Sequence, residues 1–294
     1  MIEIRPISED DGYTAAEELQ QQVWQMSDRE IIPGRMMHAL QKNGACLLGA
    51  YDGPRLIGFL LGVIGTVEGL HDRIDQVAAA RLQLYSTIMG VHPDYQNQAV
   101  GYQLKLAQRE FALRIGIRLI SWTVDPLESR NARLNFSKLG AVCHLYWRDF
   151  HGVMTGINAG LPSDRFQLQW WITSQRVKRR VEKPRRPLPF RAFFDGGAIL
   201  VNESRPDANG LPQPPDQFAV SDAPLLLVEI PANIQTIKRQ AMPLAQQWRS
   251  HTRALFEHYF GQGYLVTDFI HQPQEDTVGR SFYLLTQQEG GFED

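Results

Sequence analysis

Only two cysteines, Cys46 and Cys143, occur in 294 residues. Two thiols are too few for a disulfide scaffold, and each sits in an apolar run that reads as a strand. No apolar run approaches the roughly 20 residues of a membrane-spanning helix, so no membrane partner is expected. Neither sign of charge is in excess: 30 Lys plus Arg stand against 32 Asp plus Glu, a net charge of −2. A nucleic-acid partner calls for a basic excess and is not expected. The opening residues are charged from Glu3, unlike a signal peptide, and a cytoplasmic location is expected. There is no Gly-x-Gly-x-x-Gly after a strand, no Walker loop and no Gly-x-Ser-x-Gly. Cys143-His144 lacks partners at ligand spacing, so no metal is expected.

The chain does have apolar residues at 43%, enough to bury a core. Strand-like and helix-like runs alternate through the first half, which points to a mixed α/β (α+β) sheet domain. Residues 2–7 read as a strand. A helix over 9–26 carries Ala15, Ala16, Leu19, Val23 and Trp24 on one stripe. Residues 45–52 and 55–66 flank Asp52-Gly53, a hairpin signal. Residues 67–80 (with Glu68, His71, Asp72, Arg73 and Asp75) read as a polar loop or short helix, with Arg73 or Arg81 as a partner for a carboxylate. A strand at 82–91 leads to a helix from about Ala99 to Ile115, stopped by Gly116. Further strands are predicted at 118–124, 141–150 and 165–173, with a short helix at 129–138. The division predicted is a domain over 1–175 and a smaller α/β lobe over 176–294. The lobe opens on a basic run from Arg176 to Arg186 that reads as a solvated linker.

The chemistry concentrates between Ser86 and Ala141. A strand ends at His92-Pro93 and a turn, Asp94 to Gln98, feeds a helix at Ala99-Val100-Gly101. A strand that turns tightly into a helix aims several backbone N–H groups at one spot, and the helix dipole favours an anion there. Gly101 allows close backbone approach.

Gln96-Asn97-Gln98-Ala99-Val100-Gly101 resembles the loop of the GNAT superfamily of acyl-CoA-dependent N-acyltransferases, Gln/Arg-x-x-Gly-x-Gly/Ala, with Ala99 in place of its first glycine. Pro93 and Tyr95 before the loop, Leu104 after it and Lys138-Leu139-Gly140-Ala141 downstream fit the same frame. The resemblance implies a mixed central sheet with splayed parallel strands flanked by helices. It implies that Gln96, Asn97, Gln98, Ala99, Val100 and Gly101 hold the CoA pyrophosphate and that the backbone of Met89 and Val91 pairs with pantetheine. The N–H near Met89 would polarise the thioester carbonyl, and Asn131 would bond the pantetheine. The co-substrate implied is acetyl-CoA or another acyl-CoA. The back half is similar to a branch with this C-terminal extension, some of whose members are linked to succinyl transfer onto amino acids. Succinyl-CoA and a small-molecule amine acceptor follow as expectations. The extension would cover the acceptor site or form a homodimer contact.

The family's usual acid and base are replaced. Tyr85 stands where many members place a Glu, and Phe136 where they place a Tyr. Tyr146 and Asn135 are the candidate catalytic replacements, with His144 on the same strand face as Tyr146. Tyr85 and Asp125 are placed on the acceptor side, Asp125 to hold an ammonium or to cap the next helix. Asn131 and Asn135, at i and i+4, are expected on one helix face. The alternative function is a catalytically silent acyl-CoA-binding or sensing module.

Overall fold

The computed structural model describes residues 1–8, 10–25, 27–66, 82–183, 188–273 and 279–287. The polar segment 67–80 and Arg81 lie outside the described residues. Packing divides the chain into two compact units, Met1–Trp122 with Thr155–Ile157, and Thr123–Met154 with Asn158–Asp294.

The first unit contains β1 (Ile2–Pro6), α1 (Asp10–Trp24), α2 (Gly34–Lys42), β2 (Cys46–Asp52), β3 (Arg55–Thr66), β4 (Leu82–Val91) and α3 (Val100–Arg114). β5 (Leu119–Val124) is the strand within which the chain leaves it. The strands lie in the order β1-β2-β3-β4-β5. The first three junctions are antiparallel, and β4 with β5 is parallel. The parallel pair is joined through α3, because parallel neighbours need a long crossover. The β2–β3 hairpin closes at Asp52↔Arg55, with Gly53 at φ +57°. Only glycine takes that turn position without strain.

Alternation gives the sheet two covered faces. One packs Leu47, Phe59 and Leu61 against Ile7, Tyr13, Ala16, Leu19 and Met37, with Trp24 and Ile88 partly buried at its margin. The α1 stripe is therefore where the sequence put it. The other face receives α3. There the β3 glycines admit the helix: a Cβ on Gly58 would lie 3.2 Å from Val100 Cγ1, and one on Gly62 would lie 2.8 Å from Gln108 Nε2. The inward face of α3 is Val100, Leu104, Lys105, Gln108 and Ala112. Leu113, though apolar, is exposed. Two polar residues occupy the buried face instead.

The second unit contains α4 (Ser129–Ala132), which continues as a π-helical turn over Arg133–Lys138, then β6 (Val142–Trp147), β7 (Arg165–Trp171), α5 (Gln175–Val181) and α6 (Arg191–Asp195). Next come β8 (Ile199–Leu200), β9 (Arg205–Pro206), β10 (Pro212–Gln213), β11 (Leu225–Ile230), α7 (Ile234–Gln240), α8 (Met242–Gly261), β12 (Tyr264–Gln272) and β13 (Arg280–Gln287). Its main strands run β7-β6-β12-β13-β11-β8. β6 meets β12 at Cys143↔Val266, and β6 and β7 belong to the same compact unit as the residues beyond 175. This division differs from the sequence expectation of a boundary at 175. Phe136, Phe166, Phe256 and Tyr283 form an aromatic core with centroid separations of 4.7–5.5 Å. Both cysteines are free and buried. No helix among the described residues is long and apolar enough to cross a membrane.

Candidate functional site

β4 is the residue-level origin of the site. Its parallel ladder to β5 has three pairs and ends at Tyr85↔Ser121, while β4 itself continues to Val91. On its other edge β4 stays paired with β3, through a register shift between Leu61↔Ile88 and Gly62↔Ser86 that leaves Thr87 as an extra residue. A bulge bends its strand and raises the local twist. β4 thus leaves β5 one residue before the bulge, and a gap opens along Ser86–Val91. This is the splay that the resemblance implied.

Backbone groups line that gap. The His92 N–H donates to the Ile57 carbonyl at 2.8 Å, which makes Val91↔Gly58 a non-hydrogen-bonded pair of the antiparallel ladder. By alternation the N–H and C=O of Val91 and of Met89 point away from β3, into the gap. The Val91 carbonyl accepts from Gln96 Nε2 at 3.3 Å. Tyr85 is half-buried on the opposite sheet face from Ser86.

The loop after β4 is tied at several points. Pro93–Tyr95 forms a 3₁₀ turn whose Asp94 N–H donates to His92 Nδ1 at 3.2 Å. Tyr95 Oη donates to Asp52 Oδ2 at 2.9 Å, and Gln98 Nε2 to the Asp94 carbonyl at 3.0 Å. Asn97 and Ala99 both take left-handed backbone, at φ +66° and +61°. Ala99 is thus the N-cap rather than a helical residue. Left-handed dihedrals cost a non-glycine residue about 1–2 kcal/mol, which gives a physical reason for a glycine at this point of the loop. The first helical bond runs from the Gln103 N–H to the Ala99 carbonyl at 3.0 Å. The amides of Val100, Gly101 and Tyr102 precede any intrahelical acceptor and face out of the helix end.

Beneath the closed end of the gap lies Lys105, unremarked at the sequence level. It is 2% exposed. Its Nζ donates to Ser86 Oγ at 2.9 Å and Gln108 Oε1 at 3.1 Å, and stands 3.7 Å from the Trp122 ring centroid. Burial pulls its pKa down to about 7. The available signal was its i, i+3, i+7 spacing with Gln108 and Ala112, which share the inward face.

The remaining sequence-derived candidates fall in the second unit. Asp125 Oδ2 lies 2.5 Å from Arg249 Nη2 and 3.6 Å from Arg165 Nη1, and its Oδ1 accepts from the Leu127 N–H at 2.8 Å. It is occupied as a cap and ion-pair partner. With Glu128, Ser163, Arg165, Gln235 and Lys238 it lines a recess. Tyr146 Oη donates to Asp164 Oδ2 at 2.7 Å. Burial and this carboxylate hold the phenol well above its ordinary pKa. Asn131 is exposed and Asn135 is buried. They do not share a face, because the π turn over Arg133–Lys138 breaks the i, i+4 relation. His144 is exposed. Phe136 is fully buried against Tyr283.

The described part of the basic run is a helix rather than a solvated linker, and Arg185 and Arg186 lie outside the described residues. Arg176 and Arg180 lie on α5 and point inward. Arg176 donates to the carbonyls of Gly140, at 3.1 Å, and Thr267, and Arg180 donates to the Ser137 carbonyl at 2.9 Å and pairs with Asp268. Burial lowers the pKa of Arg176 to about 10. Trp170 is buried and donates Nε1 to the Leu139 carbonyl at 2.8 Å.

No family model and no curated protein matches the chain. Its neighbours among solved structures are GNAT-family acetyltransferases. One is the Arabidopsis thaliana NAA60 complex with acetyl-CoA, at 17% identity, covering 58% of this chain and 99% of that one, with a TM-score of 0.48. The ribosomal-protein-S18-alanine N-acetyltransferase of Escherichia coli follows at 15% identity, with 57% and 92% covered and a TM-score of 0.43. An acetyltransferase of the GNAT family from Streptococcus pneumoniae shows 13% identity, 57% and 98% covered, and a TM-score of 0.43. The fold itself is a mixed α/β sheet flanked by helices.

Proposed function

We propose that the chain is an acyl-CoA-dependent N-acyltransferase that moves an acetyl or succinyl group from a CoA thioester to a primary amine of a small molecule such as an amino acid. The observation that carries this reading is the gap along Ser86–Val91, into which the amides of Met89 and Val91 point, opening beside the amide-rich start of α3. Loop residues Gln96–Gly101 would hold the pyrophosphate, since unsatisfied N–H groups and the helix dipole both favour an anion. Met89 and Val91 would pair with the amides of the pantetheine arm. The Met89 N–H would receive the charge that develops on the thioester oxygen. The acceptor nitrogen attacks the carbonyl carbon, the C–S bond breaks, CoA leaves as the thiolate, and the proton shed by the amine returns to that sulfur or to solvent. Positioning of the two reactants supplies much of the acceleration. The buried, reduced thiols accord with a reducing compartment such as the cytoplasm.

The second reading is a silent acyl-CoA-binding module. It is favoured by the commitment of the Tyr146 hydroxyl to Asp164 and by Phe136, whose side chain has no proton to donate. Calorimetric titration with acetyl-CoA tests both readings at the coenzyme site. Gly101→Asp places a carboxylate in the first turn, where it suits the helix but repels a diphosphate, and is expected to weaken binding by at least about tenfold. Unchanged affinity in that variant, or none in the wild type, overturns the assignment. Thiol release in the presence of pooled amino acids then separates transferase from module.

A further inference from the structure

The half of the fold that follows the splayed strand occurs twice in the chain. First come β5, a helical segment ending at Lys138 and the hairpin β6–β7; later come β11, α8 ending at Gly261 and the hairpin β12–β13. Each helix end is followed by a glycine in left-handed backbone, Gly140 at φ +78° and Gly263 at φ +83°. Each hairpin then slips register once, on its first strand and at the same distance from that glycine. His144 is the extra residue between Cys143 and Leu145, and Thr267 the one between Val266 and Asp268. Past each slip an aromatic pair stands edge-on across the hairpin, Tyr146 with Phe166 at 5.8 Å and Phe269 with Tyr283 at 5.0 Å. The residues that join the two hairpins, Cys143↔Val266, are each other's counterparts, so this antiparallel pair maps onto itself about a local two-fold axis. On β5 and on β11 a parallel neighbour is paired up to the third residue of the strand, ending at Tyr85↔Ser121 and at Leu200↔Leu227. A sheet as such dictates neither bulges nor left-handed glycines, so their agreement in order, spacing and register marks a repeat.

The copies part just past the end of these ladders. In the first, β4 runs on to Val91 and the chain turns into α3, leaving the gap along Ser86–Val91. In the second, β8 ends at Leu200, and among the described residues no helix lies between it and β11. The Val201 N–H still donates to the Leu227 carbonyl at 3.1 Å. Glu229 is the next β11 residue to face that side, and the Asn202 side chain takes both of its main-chain groups. Asn202 Oδ1 accepts from the Glu229 N–H at 2.7 Å, and Nδ2 donates to the Glu229 carbonyl at 2.9 Å. The Ser204 N–H then donates to Glu229 Oε2 at 2.8 Å, pinning the segment against the strand. Asn202 is 1% exposed. Its amide fills, from within the chain, the kind of strand contact that a pantetheine amide would make. Resting on the acyltransferase reading, we propose that the stretch from β8 to β13 is a degenerate second copy of the transferase sheet. It is a built-in partner for the β6–β7 hairpin, its own coenzyme gap is bonded shut by Asn202, and it has no amide-rich helix start to grip a diphosphate. The chain therefore takes one acyl-CoA, and takes it in the first copy.

Amide hydrogen exchange followed by NMR, with acetyl-CoA as the probe, tests this on the full chain. Acetyl-CoA is expected to slow exchange within 86–91 and 100–102 and to leave 199–202 and 225–230 unchanged, and calorimetry is expected to give one site per chain. Slowing at 199–202 or 225–230, or two sites, overturns the closed second copy. In the wild type without ligand the Glu229 amide is expected to be as protected as the ladder amides of β11, a measurement that needs no variant; fast exchange there overturns the seal. In Asn202→Ala the same amide is expected to exchange at least about tenfold faster, the effect of one lost buried hydrogen bond, with acetyl-CoA affinity unchanged. Equal exchange at Glu229 in the two proteins, or an altered affinity, overturns the role of Asn202. Binding of neither acetyl-CoA nor free CoA overturns the acyltransferase reading instead, a result that the Glu229 exchange rates do not depend on.

Discussion

In the second unit Arg249, 1% exposed, meets Asp125 at 2.5 Å. Arg253 grips the fully buried Asp164 through Nε and Nη2 at 2.7 and 2.6 Å, and Tyr146 completes that carboxylate's shell. In the first unit Lys105 is as deeply buried and has only neutral neighbours. The two regions solve the same electrostatic problem differently. Where cation and anion both come from the chain, each buried charge has its counter-charge at hand. Where the chain provides one sign only, burial is met by a lowered pKa instead of by a counter-charge.

The comparison can be broken by removing partners on each side. The largest effect is expected for Asp164→Ala, which leaves Arg253 beside an empty buried site and costs roughly 3–5 kcal/mol in urea denaturation. Burial raises the Asp164 pKa, but Arg253 and Tyr146 outweigh burial and hold it below the ordinary carboxylate value. Its contribution is present at pH 7 and is lost as pH falls below about 4. The wild type is therefore expected to lose stability in acid more steeply than the variant does.

Lys105→Met is expected to act in the opposite direction, stabilising by roughly 1–4 kcal/mol near pH 6 because a lone buried charge is replaced by an apolar side chain of similar length. With the folded pKa lowered to about 7, the unfolded chain binds the extra proton between that value and about 10.4, so wild-type stability rises across this window. The difference between the two proteins shrinks towards pH 10. A pH-independent difference breaks the contrast.

Ala99→Gly relieves left-handed backbone at φ +61° and is expected to add about 1 kcal/mol, read as a higher melting temperature. Smallest of all is Arg148→Ala. That residue pairs with Glu257 at 2.5 and 2.6 Å, but on the surface, and its loss leaves the urea midpoint unmoved.

Local signals carried much of this into view from the sequence. Asp52-Gly53 announced the hairpin, the α1 stripe announced its buried face, and the run from Val91 to Gly101 announced a strand handing over to a helix. The losses share a cause. Each needed knowledge of which groups face inward, and periodicity reports that only where inward means apolar. Lys105 and Gln108 on α3, and Arg176 and Arg180 on α5, are polar residues turned towards the interior, which hydropathy does not indicate. Asn131 and Asn135 were misjudged for another reason: the facing rule assumes 3.6 residues per turn, and the π turn does not keep it. The partners of Asp125 and Tyr146 lie as far as 124 residues away in the chain, beyond any local pattern.

The extra residue at Thr87 divides β4 into two reading frames. Below it, the even-numbered Leu84 and Ser86 look towards α3; above it, Met89 and Val91 do, and Ile88 joins the opposite core. Excising that single residue would restore one frame, and the strand could then no longer serve the lysine beneath it and the main-chain amides above it at the same time.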